Sequence, residues 1–427
     1  MNSKIAFVGM THLGLISAVA AAEKGNQVYC FDPDVELIES LKQNKPPVSE
    51  PQLIKLMIKN KKSIFFNFDP VELRSCSVIY VAPDVSTDEE GRSDLKIINE
   101  LLDIVFNNTT DLNIIIILSQ VPPGFTRNKL IAKRNLYYQV ETLIFGDAIN
   151  RALSPERLII GCENPKLKLP QPYLKFLEKN NCPILSMSYE SAELAKISIN
   201  MCLVASIATA NTLAELCEEI GADWSEIIPA LKLDKRIGQY SYLSPGLGIS
   251  GGNLERDLTT IIKYAKNSKT DYGIVKAWLE NSKRRKNWIL TTIKKLKIDK
   301  IKSKRICILG LTYKENTHSI KNSPALNFIN QLEGWNLIAY DPIADKNSTP
   351  YYVKRVNSIY DALNGADILI ISTAWSEFKM INVNTLLENM TGKIIIDPYG
   401  ILNEKSILSN GFKYFKLGMS QKYLCEN

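Results

Sequence analysis

Histidine is scarce in this chain of 427 residues, which has only His12 and His318. Two histidines are too few for a metal centre built on imidazole ligands. None of the eight cysteines forms a CxxC pair, and several lie inside apolar runs, as Cys307 does in RICILGL. We interpret them as reduced core residues, which favours a cytoplasmic protein without a metal.

Long apolar runs are also missing. No stretch approaches the roughly 18 apolar residues of a membrane span, and the N-terminal MNSKIAFVGM leads into a glycine loop instead of a signal cleavage site. We therefore expect no membrane partner. The formal net charge is +7, with a denser basic run at 283–304. We interpret that run as a solvated helix and linker, so we expect no nucleic-acid partner.

Short β-rich runs alternate with helical stretches in the first part of the chain. The predicted strands include KIAFVGM, QVYCFDPD, SVIYVAPD, NIIIILSQV and a run near LSPERLIIG. A second alternating series begins at KRICILGLTY and continues through NLIAYDP, ADILIIST and GKIIIDPYG. This alternation is typical of parallel sheets covered by helices. The predicted fold class is therefore α/β, with two Rossmann-like parallel-sheet domains.

One long helix is predicted between the two series, from Ser191 to Gly221, and it is apolar around much of its circumference. Such a helix is buried on several sides. We expect it to join the two domains and to pack against a second subunit. Further helical sequence runs from Asp257 through Leu296. The predicted domains are 1–187, a central helical and dimerisation domain at 188–296, and 303–427.

A glycine loop follows the first strand, with the sequence Gly9-Met10-Thr11-His12-Leu13-Gly14. This is the place of the dinucleotide fingerprint G-x-G-x-x-G, where backbone N–H groups at the helix start bind a pyrophosphate. Gly9 permits the tight turn and Gly14 permits close packing of helix on strand. Thr11 replaces the middle glycine, so its Cβ narrows the approach to the pyrophosphate while its hydroxyl can donate a hydrogen bond.

An acidic residue, Asp32, ends the second strand 18 residues after Gly14. A carboxylate there accepts hydrogen bonds from ribose hydroxyls and repels a 2′-phosphate, which favours NAD over NADP. An ordinary turn between strand and helix is the alternative. The order of strand, loop, helix, strand and acid predicts an NAD site in the domain 1–187.

Several motifs then occur in a fixed order along the chain. They are the segment Ser154-Pro155-Glu156-Arg157-Leu158, the pair Lys196 and Asn200, the segments 234–238, 242–246 and 246–257, and Leu311-Thr312-Tyr313-Lys314. The spacing of Lys196 and Asn200 puts both side chains on one helical face. A snorkelling lysine and a capping asparagine are the structural alternative for this pair. Together the motifs resemble the UDP-glucose/GDP-mannose dehydrogenase family over nearly the whole chain.

The resemblance implies an enzyme that oxidises the C6 alcohol of a nucleotide hexose to a carboxylate with two NAD. It implies a homodimer and a UDP-sugar substrate bound by the domain 303–427. It implies precursor synthesis for surface polysaccharides or glycoconjugates. The implied catalytic residues are Glu156, Lys196, Asn200, Asn253 and Asp257, and the implied cofactor residues are Gly9, Thr11, His12, Leu13, Gly14, Asp32, Pro83 and Gln120. The implied sugar-nucleotide residues are Arg236, Tyr242, Leu243, Gly248, Lys314 and Tyr399.

The sequence departs from the family pattern at the nucleophile. The segment 246–257 aligns with G-x-G-F-G-G-x-C-x-x-K-D, and Asn253 stands in the place of the cysteine. In the family the thiolate attacks the C6 aldehyde, and the resulting thioester is hydrolysed. An amide cannot attack in this way, because its nitrogen lone pair is delocalised into the carbonyl. No other cysteine lies in this segment.

Three further departures lie at positions that the family places near the cofactor and the reacting sugar. Gln120 replaces a threonine in S-T-V-P-P-G, Val81-Ala82-Pro83-Asp84 replaces V-x-T-P, and Tyr399 replaces the arginine of D-G-R-N. Since the acid–base residues Lys196, Asn200, Asp257 and Glu156 remain, we expect a two-electron oxidation to an aldehyde or ketone. Full four-electron oxidation through a hydrated aldehyde is one alternative, and a non-catalytic sugar-nucleotide binder is the other.

Overall fold

The structure is a computed structural model that describes residues 4–86, 93–251, 253–296 and 304–420. The chain forms two compact units, residues 1–199 and 200–427. Each unit contains one sheet. The boundary between these units falls between residues 199 and 200, inside the long central helix. The predicted division into three domains, with boundaries at 187/188 and near 300, stays a prediction.

The first unit contains eight strands and the helices between them. The strands are β1 (Lys4–Val8), β2 (Gln27–Phe31), β3 (Ile64–Asn67), β4 (Val78–Val81), β5 (Ile114–Ile117), β6 (Asn135–Gln139), β7 (Leu158–Cys162) and β8 (Ile184–Ser188). The helices are α1 (His12–Glu23), α2 (Val35–Lys42), α3 (Leu53–Lys59), α4 (Lys96–Asn108), α5 (Phe125–Asn128), α6 (Ala148–Leu153) and α7 (Gln171–Glu178). A 3₁₀ helix spans Pro70–Ser75.

The first sheet has the strand order β3-β2-β1-β4-β5-β6-β7-β8. Its first six strands are parallel and have the order of a doubly wound dinucleotide-binding fold. The central strands β4 (VIYV) and β5 (IIII) are entirely buried, which explains their unbroken apolar sequences. The last two strands differ from the prediction, because β7 pairs with β6 in antiparallel fashion.

Helix α1 covers one face of this sheet. Ten of its twelve residues are buried, and its sequence is apolar on all sides because strands and helices both pack against it. The small side chains of its AVAAA segment permit close packing on the strands. This packing holds the helix start, and with it the glycine loop, at the carboxyl end of β1.

The long central helix α8 spans Tyr189–Ile220, two residues earlier at its start and one at its end than predicted. By length and composition alone, with a mean hydropathy of 1.5, this helix could span a membrane. Its buried face carries Glu193, Lys196, Asn200 and Asn211. A lipid environment disfavours that many polar groups, so the sequence of α8 fits a helix that packs inside a folded protein.

The second unit has a helical part and then a second sheet. The helices are α9 (Trp224–Leu233), α10 (Asn253–Ser268), α11 (Gly273–Lys286), α12 (Trp288–Lys295), α13 (Pro324–Ile329), α14 (Ile359–Leu363), α15 (Val383–Asn389) and α16 (Glu404–Ser409). The strands are β9 (Arg305–Leu309), β10 (Asn336–Tyr340), β11 (Val353–Arg355), β12 (Ile368–Ile371), β13 (Ile394–Ile396) and β14 (Lys413–Phe415). Two 3₁₀ turns lie at Lys346–Ser348 and Phe378–Met380.

The second sheet is parallel throughout, with the order β11-β10-β9-β12-β13-β14. This is the strand order of the first six strands in the other unit. The same turn also follows the first strand of each sheet: Gly9 and Gly310 have φ of +93° and +94°, a conformation that favours glycine. The predicted fold class, two Rossmann-like parallel sheets and a long central helix, is confirmed.

Candidate functional site

The glycine loop after β1 has the close packing that a dinucleotide fingerprint requires. A Cβ on Gly9 would lie 2.9 Å from the backbone nitrogen of Pro83, and a Cβ on Gly14 would lie 1.9 Å from the carbonyl oxygen of Gly9. Neither position tolerates a side chain. The loop is held against β2 by the Gly9 N–H, which donates to Phe31 O at 2.9 Å.

Asp32 lies at the carboxyl end of β2, beside this loop. Its Oδ2 accepts from the Met10 N–H at 2.7 Å and its Oδ1 from the Asp34 N–H at 3.0 Å. These bonds fix the carboxylate and leave lone pairs for further donors, because an ionised carboxylate accepts about four hydrogen bonds. The carboxylate oxygens of Asp32 can accept hydrogen bonds from the ribose hydroxyls of NAD, which agrees with the predicted cofactor.

The side chain of His12 is directed into the protein. Its Nε2 lies 2.8 Å from Glu50 Oε1, and its ring stacks on Phe145 with centroids 4.1 Å apart. Glu50 also accepts from the Gly146 N–H at 2.8 Å. His12 can therefore contact a cofactor only through its backbone. The Leu13 side chain is likewise buried in the core.

Two departures from the family pattern contact each other at the start of α1. The Asp84 N–H donates to Thr11 Oγ1 at 2.7 Å, and Asp84 Oδ2 accepts from the Leu13 N–H at 3.3 Å. Asp84 remains exposed on its outer side. Desolvation by the surrounding protein raises the pKa of its carboxyl. The nearby His12 and these hydrogen bonds offset part of that increase.

The predicted residues Pro83 and Gln120 lie at the carboxyl ends of β4 and β5. The Pro83 carbonyl accepts from the Ser119 hydroxyl at 2.5 Å, which links the two strand ends. Gln120 is buried immediately after Ser119. Carboxyl ends of parallel strands are where ligands bind in this type of sheet. The role of both residues beside the cofactor stays a prediction.

Lys196 forms an ion pair with a residue that sequence reasoning missed. Its Nζ lies 2.7 Å from Glu141 Oε1, and the two side chains are only 11% and 15% exposed. Glu141 follows β6 by two residues. An acidic residue just beyond the end of a strand would indicate such a site residue. The sequence analysis does not predict the strand NLYYQ, so it does not identify Glu141.

Glu156, in contrast, lies at the surface. Its side chain is 64% exposed and pairs with Arg157 at 2.9 Å and with Arg151 at 3.6 Å. It follows α6 and precedes β7, the strand that runs antiparallel to its neighbour. The structure thus brings Glu141 to Lys196 and leaves Glu156 at the surface. The catalytic role that the resemblance implies for Glu156 stays a prediction.

In the second unit, Asn200 on α8 and Asp257 on α10 form a buried pair. The Asn200 amide donates from Nδ2 to Asp257 Oδ2 at 2.5 Å, and the residues are 8% and 1% exposed. Arg256 Nε lies 3.5 Å from the other carboxylate oxygen, Oδ1. The carboxylate is therefore oriented by an amide on one oxygen and a guanidinium on the other.

The glycine-rich segment before α10 is held by close backbone contacts. Gly248 and Gly251 have φ of +76° and +77°. A Cβ on Gly248 would lie 2.5 Å from Ser282 O, and one on Gly251 would lie 3.1 Å from the Tyr313 ring. The Gly251 carbonyl accepts from Asn322 Nδ2 at 2.8 Å. Gly252 lies outside the described residues.

Asn253 is the first residue of α10 and is exposed. It precedes Asp257 by four residues, so the two positions are on one side of the helix. Glu255 in the same turn pairs with Lys286 at 2.6 Å and accepts from Asn322 Nδ2 at 2.5 Å. The amide at position 253 therefore lies on a helical turn that is held by the contacts of Glu255 with Lys286 and Asn322.

The predicted sugar-nucleotide residues are distributed over several parts of the second unit. Arg236 pairs with Asp234 at 2.6 Å and is 89% exposed. Leu243 is buried, and its carbonyl accepts from the Trp224 indole at 2.8 Å, while Tyr242 is 49% exposed. Lys314 Nζ lies 5.8 Å from the Tyr313 ring centroid, so Lys314 neighbours the ring that packs on Gly251.

Tyr399 differs from the substrate contact that the family arginine implies. Its hydroxyl donates to the backbone carbonyl of Ser372 at 3.3 Å, and its ring packs against the core of the second unit. Burial raises the pKa of this phenol. The hydroxyl is thus already used inside the fold, and contact of the ring with a substrate stays a prediction.

Comparison with known proteins covers all parts of the chain. The UDP-glucose/GDP-mannose dehydrogenase family matches with its NAD binding domain at residues 3–175, its central domain at 190–283 and its UDP binding domain at 307–404. The UDP-glucose 6-dehydrogenase of Rickettsia conorii is 30% identical over 97% of this chain and 99% of its own length. TuaD, a UDP-glucose 6-dehydrogenase of Bacillus subtilis, is 29% identical over 97% and 93%.

Two solved structures share the fold. A UDP-glucose dehydrogenase from Pyrobaculum islandicum superposes with a TM-score of 0.84, at 21% identity, over 98% of both chains. A UDP-D-ManNAc dehydrogenase from Pyrococcus horikoshii has a TM-score of 0.82, at 23% identity, over 97% and 99%. The family resemblance and the NAD cofactor predicted from the sequence are therefore confirmed. The chain belongs to the UDP-glucose/GDP-mannose dehydrogenase family of NAD-dependent nucleotide-sugar dehydrogenases.

Proposed function

We propose that the protein oxidises one alcohol carbon of a UDP-hexose by two electrons and releases an aldehyde or ketone. The UDP part of the substrate rests on the match to the family's UDP binding domain and on relatives named UDP-glucose 6-dehydrogenase. The two-electron outcome rests on one observation: the acid–base residues are retained and paired, while position 253 carries an amide.

The proton step is assigned to four residues. Asp257 is held by Asn200 and Arg256 so that its carboxylate can accept a proton from a water molecule, which in turn takes the hydroxyl proton of the sugar. Lys196 carries the positive charge that stabilises the alkoxide as it forms. Groups positioned in this way typically contribute about 10²–10⁴-fold to a rate. NAD, when bound, supplies the hydride acceptor.

Glu141 keeps Lys196 in place for this step. A lysine whose ammonium is largely buried needs a counter-charge, because desolvation disfavours its charged form. The 2.7 Å contact with Glu141 provides it. The ion pair therefore orients the Lys196 side chain, and we assign Glu141 as a positioning residue.

Asn253 sets the extent of the oxidation. Its amide has two donor hydrogens and one acceptor oxygen, which suits a hydrogen bond to a sugar hydroxyl or to the new carbonyl. It forms no covalent bond to the aldehyde carbon, so the thioester route to an acid is closed. The aldehyde or ketone then leaves with one hydride and one proton removed.

Counting reduced cofactor tests this proposal. The purified protein is supplied with NAD and, in turn, UDP-glucose, UDP-N-acetylhexosamines and GDP-mannose, and NADH is measured per sugar consumed. The product is trapped with a hydroxylamine and identified by mass spectrometry. One NADH and a trapped carbonyl are expected with a UDP-sugar.

Two NADH per sugar would replace the proposal with four-electron oxidation through a hydrated aldehyde. No NADH with any sugar, together with measurable UDP-sugar binding, would replace it with a non-catalytic binder. Asp257→Asn serves as the matched control, since it preserves shape but removes the base.

Two further expectations belong to the same proposal. The protein is a homodimer through α8, whose exposed leucine and isoleucine side chains at 213, 216 and 220 form one stripe with spacings of three and four. It acts in the cytoplasm, where its seven described cysteines remain unpaired thiols.

A further inference from the structure

Asp84 makes two hydrogen bonds at the start of α1, one with Thr11 and one with Leu13. Thr11 Oγ1 accepts from the Asp84 N–H at 2.7 Å, and Asp84 Oδ2 accepts from the Leu13 N–H at 3.3 Å. Both residues replace the family pattern, in which position 11 is glycine and position 84 is proline. Glycine has no hydroxyl to accept, and proline has no N–H to donate. The hydrogen bond between the two residues therefore requires both departures.

The helix does not cap itself. Among the described residues, the first turn of α1 contains no acidic side chain, and Thr11, at the N-cap, makes no side-chain hydrogen bond to the helix. A threonine at that position ordinarily accepts from a helix N–H. Here its hydroxyl is directed to Asp84, and the Asp84 carboxylate supplies the cap from a neighbouring strand end.

The N–H group that Asp84 occupies is one that a dinucleotide needs. In this fold the pyrophosphate lies at the N-terminus of the first helix and accepts hydrogen bonds from its free N–H groups. Leu13 is the second residue of α1, so its N–H points out of the helix start. A carboxylate and a phosphate oxygen are both anionic acceptors, and they cannot share this place.

We infer that Asp84 is an internal competitor of the cofactor pyrophosphate, which NAD must displace from the Leu13 N–H in order to bind. The hydrogen bond of 3.3 Å is long, and Asp84 is exposed on its outer side. The carboxylate is thus free to move out of the way. It stays nearby as a like charge, so it weakens NAD binding instead of preventing it. This inference concerns cofactor affinity and does not depend on how far the sugar is oxidised.

Calorimetric titration of NAD into the full-length protein and into Asp84→Asn tests the inference. Asparagine has the same shape without the charge. We expect NAD to bind Asp84→Asn about 10-fold more tightly, which corresponds to about 1.4 kcal/mol. Adenosine, a probe without phosphates, should bind both proteins equally. The control Asp103→Asn removes a charge from the exposed face of α4, and it should leave both affinities unchanged.

Asp84→Ser provides a second variant if Asp84→Asn folds poorly. It keeps the N–H that Thr11 accepts from and also lacks the carboxylate, so it too should bind NAD more tightly. Unchanged or weaker binding of NAD by a folded variant would show that Asp84 is only a structural cap. An equal gain for adenosine would also overturn the inference, because the effect would then not be directed at the phosphates.

Discussion

Lys196 and Glu141 form an ion pair of 2.7 Å in which both side chains are largely buried. One comes from the long central helix and the other from the loop after β6. A pair of this kind is costly to break, because removing one partner leaves an uncompensated buried charge.

Glu141→Gln should lower the turnover number by about 100-fold, in the range typical of positioned acid–base groups. The reason is that the Lys196 ammonium loses its counter-charge and its fixed orientation. The Michaelis constant for the sugar should change little. Steady-state kinetics on Glu178→Gln provide the control, since Glu178 is an exposed residue at the end of α7. An equal loss in the Glu178 variant would contradict the assignment.

Asn200→Ala should destabilise the fold by about 1.5–3 kcal/mol, the usual contribution of a hydrogen bond to a charged group. Asp257 Oδ2 would lose the donor that lies 2.5 Å away in a buried setting. Urea unfolding followed by circular dichroism measures the change. Thr212→Ala, at an exposed position of the same helix, should cost less than about 1 kcal/mol. An equal decrease in the free energy of unfolding for the two variants would mean that the Asn200–Asp257 hydrogen bond does not stabilise the fold.

Asn253→Cys should increase the yield of sugar acid if the nucleophile alone is missing. A thiolate can attack the aldehyde, whereas the amide cannot. The matched control is Asn253→Ser, which has almost the shape of cysteine but a far weaker nucleophile. Product acids are counted by mass spectrometry. A rise in the serine variant as well as in the cysteine variant would exclude the thioester explanation.

NAD affinity should increase as the pH falls from about 8 to about 5, and Asp84→Asn should lose part of this dependence. Desolvation raises the pKa of the Asp84 carboxyl. As the pH falls toward that raised pKa, protonation of the carboxylate removes the charge that competes with the pyrophosphate. His12 and Glu141 also act on Asp84 electrostatically, and their ion-pair partners are Glu50 and Lys196. Identical pH profiles for the two proteins would contradict this prediction.

The exposed stripe on α8 gives a test of the homodimer. Leu216→Glu should shift the protein toward a monomer in light scattering after size exclusion, because a charge in an apolar interface is poorly solvated. The Leu216 side chain is half exposed in the single chain, so the monomer itself should remain folded. Asn107→Glu, on the exposed face of α4, is the control. A monomeric unaltered protein would contradict the proposal.

Strong local patterns allowed much of the fold to be predicted from the sequence. The unbroken apolar strands β4 and β5, and the long helix α8, were recognised because burial on several sides leaves few polar residues. Strand β6 was not recognised, since its sequence NLYYQ is partly polar and partly exposed. The antiparallel pairing of β7 could not be predicted, because strand direction depends on how the chain returns and not on composition.

The sequence by itself determined the family, the NAD cofactor and the amide at position 253, because these depend on residue identity and order. The tertiary structure decided which partners the acidic residues contact. It brought Glu141 to Lys196, left Glu156 at the surface and paired Asp84 with Thr11. Glu141 and Lys196 are 55 residues apart in the sequence, and Thr11 and Asp84 are 73 apart. Contacts at such separations form only when the sheet aligns the strand ends.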